Sequence, residues 1–256
     1  MDRGLLPYLP VEKILACYAA APGNEIKSGK FLSPESSSAL AANVFGLFLE
    51  SPEELPILPG CRENWWPVES VNLEAIIRFP WSGGRHPCLD VVLQTASAVI
   101  GVESKRYEPF RPKNKTELSE AYWRTVWGER MKRYEAVRDG LKDSRFDFLH
   151  LDATQLVKHA FGLRTAVNRK KEPNGRIPVL LYIYSEPKAW PDGRPIETSV
   201  IQRHRDEIER FADLVAGDEV QFLSTSYAEW LLGWNSSTSK RLSAHHSALV
   251  ERFFST

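Results

Sequence analysis

The sequence predicts an α/β protein in which helices flank a β-sheet. Three strand-like segments follow one another between residues 71 and 107. Segments with apolar residues at helical spacing lie on both sides of them, and a strongly apolar run at 177–185 predicts a central strand. At 256 residues and 43% hydrophobic content, the chain is long enough for one large domain or two small ones. One α/β domain is the simpler interpretation.

The amino-terminal part of the chain is predicted to be helical. Residues 11–21 place apolar side chains at helical spacing, and a second helix over 34–50 has Ser33 as its N-cap. Four prolines and one glycine in 51–67 predict a long loop. The three strands that follow are predicted over 71–79, 89–95 and 98–107.

The carboxyl-terminal half is predicted to alternate helices with two strands. The helices are predicted over 116–141, 153–164 and 199–216, the strands over 177–185 and 220–224, and a last helical region over 227–254. The sequence contains no internal repeat and no low-complexity tract, so nothing in it marks a second domain.

Composition excludes several classes of protein. The 33 basic and 33 acidic residues give zero net charge, which counts against a strongly basic nucleic-acid binder. Three well-separated cysteines predict neither a disulfide framework nor a zinc site. No signal peptide or membrane span is predicted, so we expect a cytoplasmic protein. The common nucleotide-binding motifs are absent, which predicts no nucleotide cofactor.

The most informative segment is the hairpin predicted between residues 89 and 107. Asp90 opens its first strand and Glu103 lies near the end of the second, so an antiparallel pair sets the two carboxylates opposite each other. Such carboxylates repel unless a cation lies between them, and Mg²⁺ prefers oxygen ligands of this kind. Glu103 and Lys105 project to one face of the strand and Ser104 to the other. An ammonium group beside two carboxylates suits metal-dependent hydrolysis of a phosphodiester.

This pattern resembles the PD-(D/E)xK superfamily of restriction-endonuclease-like nucleases. Pro87 and Asp90 correspond to the first half of the motif, although the family sets the proline directly before the aspartate. Glu103, Ser104 and Lys105 correspond to the second half. The resemblance implies an αβββαβ core with a mixed central sheet flanked by helices. It also implies one nuclease-like domain over 1–256, with amino-terminal helices in 1–50, a catalytic core over about 68–234 and a helical tail.

The resemblance further implies a Mg²⁺-dependent DNA endonuclease of restriction, defence or repair, with Mn²⁺ able to replace Mg²⁺. Asp90 and Glu103 would bind the metal ion together with the backbone carbonyl of Ser104, and Lys105 would assist the attacking water. Gln155, at the start of a helix after the hairpin, corresponds to a glutamine that many relatives place near the scissile phosphate. Double-stranded DNA is the implied partner, and cleavage of both strands favours a homodimer.

Three further residues have open interpretations. Glu74 lies inside the first predicted strand, where an acid is costly unless it is paired or binds a metal ion. It is either a further acid of the site or a residue on the polar face of an edge strand. Gln155 is either a site residue or an ordinary helix residue, and His159, one turn later, is interpreted as a helix-surface histidine.

Two basic runs lie near the predicted hairpin in the sequence. They cover 105–115 and 164–176, and each either follows a phosphate backbone or forms a solvated loop. The residues predicted to contact DNA are Lys113, Lys115, Arg169, Lys170 and Lys171.

Two other classes of protein compete with the nuclease. The first is a non-catalytic DNA-binding or assembly subunit that retains the nuclease fold. The second is an unrelated α/β protein in which the charges of the hairpin form surface pairs. The two classes differ from a nuclease in one observable, because only a nuclease needs the three charged side chains to converge in one site.

Overall fold

Five β-strands form one sheet in the computed structural model of the protein, which describes residues 4–81, 83–84, 86–112, 117–169, 175–234 and 239–255. The strands are β1 (Val68–Ile76), β2 (Cys88–Thr95), β3 (Ala98–Lys105), β4 (Ile177–Tyr184) and β5 (Gln221–Ser226), and they lie side by side in this order. β1, β2 and β3 pair antiparallel, whereas β3, β4 and β5 pair parallel. The antiparallel half of the sheet therefore meets the parallel half at β3.

Helices cover both faces of this sheet. The helices of the described chain are α1 (Val11–Ala20), α2 (Ser37–Phe45), α3 (Lys132–Lys142), α4 (Ala153–Arg169), α5 (Thr198–Val215), α6 (Tyr227–Leu232) and α7 (Lys240–Leu249). α1, α2, α6 and α7 contribute side chains to the core on one face, and α3, α4 and α5 to the core on the other. None of the helices in these described segments has the length and apolarity to cross a lipid bilayer.

The central strand β4 is buried on both of its faces. Val179 and Leu181 belong to the core on the α2 side, and Leu180 and Tyr182 belong to the core on the α4 side. A strand covered on both faces needs apolar residues at every position, which explains the continuous apolar run at 177–185. The predicted α/β fold with a helix-flanked sheet is confirmed, and the sheet is mixed.

The hairpin of β2 and β3 forms within two residues of the predicted bounds 89–95 and 98–107. Its turn is stabilised by the Thr95 hydroxyl, which accepts the backbone N–H groups of Ser97 at 3.2 Å and Ala98 at 2.9 Å. A threonine hydroxyl bonded to the next backbone groups favours a tight turn. This turn fixes the register of the two strands and so the positions of the acids beyond it.

The long helix predicted over 116–141 is wrong. In the described part of this range, two 3₁₀ turns, Glu120–Trp123 and Glu129–Met131, precede α3. Gly128 has a φ of 86°, a left-handed conformation that an α-helix does not contain. The side chain of Trp127 is fully buried and stacks on an aromatic ring of α4. The aromatic residues of this range therefore anchor an irregular segment to α4, and they do not form the face of one helix.

Two other elements begin at shifted positions. The helix predicted over 34–50 begins at Ser37, because the hydroxyl of Ser36, and not that of Ser33, caps it by accepting the Ala39 N–H at 3.0 Å. The first strand begins three residues before its predicted start. Both shifts leave the order of the elements unchanged.

Two glycines allow α4 to lie close against the sheet. A Cβ atom on Gly101 of β3 would come within 2.5 Å of Leu89 Cδ1 and 2.9 Å of the Leu163 methyl groups. A Cβ atom on Gly162 of α4 would come within 2.9 Å of Pro87 Cγ. The space for these contacts exists only because both positions lack a side chain. The close approach brings the first turns of α4 over the carboxyl end of β3.

We expect Gly101→Ala to lower the free energy of unfolding by about 1–3 kcal/mol, because the added methyl group overpacks the contact between β3 and α4. Gly175→Ala is the matched control, since a Cβ atom there meets nothing within 4 Å. Urea titration of the two variants measures the difference. An unchanged midpoint for Gly101→Ala would contradict the close approach of the helix.

Candidate active site

Three acidic residues lie in a row across β1, β2 and β3. The β2–β3 ladder pairs Val91 with Val102, so the next pair along the same register is Asp90 with Glu103. The β1–β2 ladder is paired on both sides of Glu74, and its register sets Glu74 opposite Asp90. The facing positions predicted for Asp90 and Glu103 agree with this register, and Glu74 extends the row to the edge strand.

Asp90 is held by the backbone of the neighbouring strand. Its Oδ2 atom accepts the Ser104 N–H at 2.7 Å. Burial and, after it, the charge of Glu103 raise the pKa of Asp90 well above its usual range, although Lys105 and the Ser104 hydrogen bond act in the opposite direction. The two facing carboxylates therefore repel each other inside the protein.

Glu103 and Lys105 project to the same face of β3, as the alternation predicts. They are 2% and 9% exposed, and the Lys105 Nζ donates a hydrogen bond to Glu103 Oε1. Burial by itself would raise the pKa of Glu103, but Lys105 and His159 outweigh it and lower that pKa to about 2. Burial likewise disfavours the Lys105 ammonium, yet Glu103 raises the Lys105 pKa well above its usual range. Both groups are therefore charged at neutral pH.

Ser104 projects to the opposite face of β3. Its hydroxyl lies 2.8 Å from the Tyr227 hydroxyl at the start of α6, and it donates to the Ser37 carbonyl at 3.4 Å. These contacts attach the end of β3 to α2 and α6, while the Ser104 N–H holds Asp90. A role of the Ser104 carbonyl as a metal ligand stays a prediction.

Glu74 has an unusual backbone conformation for a strand residue. Its φ is 49°, in the left-handed region that non-glycine residues rarely adopt. Burial, followed by the charges of Glu25 and Glu103, raises its pKa to about 7, although the Cys88 thiol at 3.6 Å opposes this shift. Its side chain is partly exposed and β1 is an edge strand, so both of its predicted interpretations stay open. The structure brings Glu74 beside the other two acids.

The helix α4 adds a residue to the site that the sequence interpretation missed. His159 is 3% exposed, and its Nδ1 atom lies 3.1 Å from Glu103 Oε2, so its interpretation as a surface residue is wrong. The only sequence signal was its place four residues after Gln155, on the same helix face. Gln155 is partly buried in the first turn of α4, where its N–H bonds to Asp152 Oδ1 at 2.9 Å.

Of the basic residues predicted to bind DNA, the structure describes only Arg169. Lys113, Lys115, Lys170 and Lys171 lie outside the described residues. Arg169 is at the last turn of α4, about 15 Å along the helix from the turn that contacts Glu103. Its guanidinium group donates to the carbonyl of Phe79. In the first run, Arg111 is paired with Glu35 at 2.7 Å.

The donor set of the site suits a hard divalent cation. Within the described ranges, no three His, Cys, Asp or Glu side chains are already arranged around a common metal position. Mg²⁺ usually needs only one or two carboxylates, because water completes its octahedral shell. Asp90 and Glu103 supply two, and the ionisation of Asp90 and Glu74, which burial and neighbouring acids disfavour, is what a bound cation would favour. The residues present therefore fit the predicted metal ion.

The chain was compared with protein-family models, with curated proteins and with solved structures, and it matches none of them. Any function proposed for the protein therefore rests on its own side chains. The strongest feature is the group formed by the partly buried Asp90 and the buried Glu103, Lys105 and His159, in which acids and bases from β2, β3 and α4 meet.

We expect the Glu74 carboxyl group to contribute a loss of unfolding free energy in the metal-free protein as the pH rises from about 4.5 to about 7. A carboxyl group with a raised folded-state pKa binds more protons in the folded state, so raising the pH through this window favours unfolding. Glu74→Gln should remove about 1–2 kcal/mol of that loss. This value is smaller than the full pKa shift implies, because solvent screens the partly exposed side chain. Urea titrations in EDTA at several pH values measure it.

Glu69→Gln, at an exposed position of the same strand, is the matched control for this pH series. An equal change in the free energy of unfolding of wild type and Glu74→Gln between the two pH limits would contradict the raised pKa of Glu74.

Proposed function

We propose that the protein is a Mg²⁺-dependent DNA endonuclease of the PD-(D/E)xK, restriction-endonuclease-like class. The observation that carries this proposal is the convergence of Asp90, Glu103 and Lys105 at one end of the β2–β3 hairpin. Two facing carboxylates with an ammonium group beside them have no advantage for packing, because burying charges costs more than burying apolar groups. Their arrangement suits hydrolysis of a phosphodiester.

The order of the elements supports this proposal. α2, the strands β1 to β3, α4 and β4 follow one another in the αβββαβ order that the resemblance implies, with α3 as an addition. Glu103 and Lys105 lie on β3, the strand that pairs antiparallel with β2 and parallel with β4. The crossover helix α4 then covers the same end of β3.

Each residue has a separate task in the proposed reaction. A bound Mg²⁺ or Mn²⁺ ion would polarise a phosphoryl oxygen and lower the pKa of a water molecule. Asp90 and Glu103 would hold that ion, with the Ser104 carbonyl as a further ligand and Glu74 close enough in register to add another. Lys105 offsets the negative charge that develops on the phosphate in the transition state.

Double-stranded DNA is the proposed substrate. Gln155 lies at the start of α4, one turn before the contact with Glu103, where its amide can bind a phosphate oxygen or orient the water. Cleavage of both strands uses two active sites, so we propose that the enzyme acts as a homodimer.

One observation favours a second candidate function. Lys105 is already paired with Glu103 and almost completely buried, which also suits a structural ion pair. Arg169, the described member of the residues predicted to bind DNA, lies about 15 Å along α4 from the turn that contacts Glu103. A DNA-binding or assembly subunit that keeps the fold without cleaving DNA would show these features.

Incubation of the purified protein with supercoiled plasmid separates the two functions. We expect nicked and linear products with Mg²⁺ or Mn²⁺ and none with EDTA. Asp90→Ala should abolish cleavage without lowering the melting temperature of the metal-free protein, because it removes one of two mutually repelling carboxylates. Asp192→Ala, at an exposed site, is the matched control. DNA binding without cleavage under all three conditions would instead establish the non-catalytic subunit.

We expect Lys105→Ala to cleave plasmid at least ~100-fold more slowly than wild type while still binding Mn²⁺, because Lys105 acts on the transition state. Lys105→Arg should not restore the rate fully, since a planar guanidinium does not reproduce a compact ammonium group. Lys132→Ala, at an exposed position of α3, controls for loss of a positive charge. A near-normal rate for Lys105→Ala, measured by single-turnover cleavage, would remove the lysine from the mechanism.

A further inference from the structure

His159 is a buried polar residue for which the proposed reaction has so far no use. It lies on the face of α4 that covers β3 and is 3% exposed. Its Nδ1 atom lies 3.1 Å from Glu103 Oε2, within hydrogen-bond distance, although the angle at this contact is not that of a good hydrogen bond. Buried polar atoms in folded proteins are nearly always satisfied. We therefore take Glu103 Oε2 as the hydrogen-bond acceptor for the Nδ1 atom of His159.

The two oxygens of Glu103 are divided between two partners. Lys105 Nζ donates to Oε1 from the same strand, and His159 Nδ1 lies against Oε2 from the helix. A carboxylate offers about four lone-pair sites, so two of them remain for a further partner. Asp90 lies opposite on β2, and the free lone pairs of Glu103 can serve a cation held between the two acids.

The attachment of α4 to the sheet does not depend on His159. The apolar side chains of the helix that are buried against the sheet and α3 supply the packing, namely Leu156, Val157, Ala160, Phe161 and Leu163. A leucine at position 159 would extend this apolar face. The presence of an imidazole there is therefore explained by Glu103 and not by the core.

We propose that His159 is a positioning residue that holds the Glu103 carboxylate through Nδ1 and thereby sets the affinity of the site for a divalent cation. The inference rests on the proposed metal site of Asp90 and Glu103. Partners that fix a metal-binding carboxylate commonly contribute 10–100-fold to metal affinity or activity. With the imidazole removed, Glu103 keeps one fixed oxygen and turns toward Lys105, away from the direction that faces Asp90.

The test is calorimetric titration of Mn²⁺ into wild type and three variants. The amide nitrogen of an asparagine is three bonds from Cα, as is Nδ1 of a histidine. The amide nitrogen of a glutamine is four bonds from Cα and so lies farther out. We expect His159→Leu and His159→Gln to bind Mn²⁺ about 10–100-fold more weakly, and His159→Asn to stay within about threefold of wild type. His246→Leu on α7 should bind as wild type does, and melting in EDTA checks that each variant folds.

Three results would overturn the inference. The first is a Mn²⁺ affinity of His159→Leu equal to that of wild type. The second is an equal loss of Mn²⁺ affinity in the Asn and Gln variants, because the distance of the side-chain nitrogen from Cα would then have no effect. If His159→Leu does not fold, the comparison of Asn with Gln decides the question. Failure of wild type itself to bind Mn²⁺ would instead overturn the proposed metal site, and the inference with it.

Discussion

Burial of the Glu103 carboxylate between β3 and α4 is the constraint on which the site depends. Removing such a charge from water costs several kcal/mol unless close partners compensate for it. Lys105 and His159 supply this compensation from the strand and from the helix. Burial first, and the charges of neighbouring acids after it, raise the pKa values of Asp90 and Glu74. In the proposed metal site, a divalent cation would supply to Asp90 the positive charge that Lys105 and His159 supply to Glu103.

The parts of this site that the sequence predicted are those that depend on local geometry. A two-residue turn fixes the register of β2 and β3, and that register alone sets Asp90 opposite Glu103. Strand alternation alone places Glu103 and Lys105 on one face and Ser104 on the other. The continuous apolar run of β4 similarly requires cover on both faces. Each of these features follows from the residues of one short segment, so the local sequence is enough to predict it.

The parts that the sequence did not predict depend on contacts between distant segments. The burial of His159 follows from which face of α4 meets β3, and that depends on the space left by Gly101. The left-handed backbone of Glu74 is rare for a residue other than glycine, so its own propensity does not predict it. Arg169 was predicted to contact DNA from its place in a basic run, and it lies about 15 Å along α4 from the turn that contacts Glu103. The aromatic spacing before α3 has a helical period, yet Trp127 packs on α4 from an irregular segment.

The central claim is that Asp90 and Glu103 together bind one divalent cation. Diffraction at the manganese absorption edge, from crystals soaked in Mn²⁺, tests it most directly. We expect an anomalous peak bonded to both carboxylates in wild-type crystals, and loss of that peak in crystals of Glu103→Gln. An absence of any peak at the two acids in Mn²⁺-soaked wild-type crystals, with Glu103 still held by Lys105 and His159 alone, would contradict it.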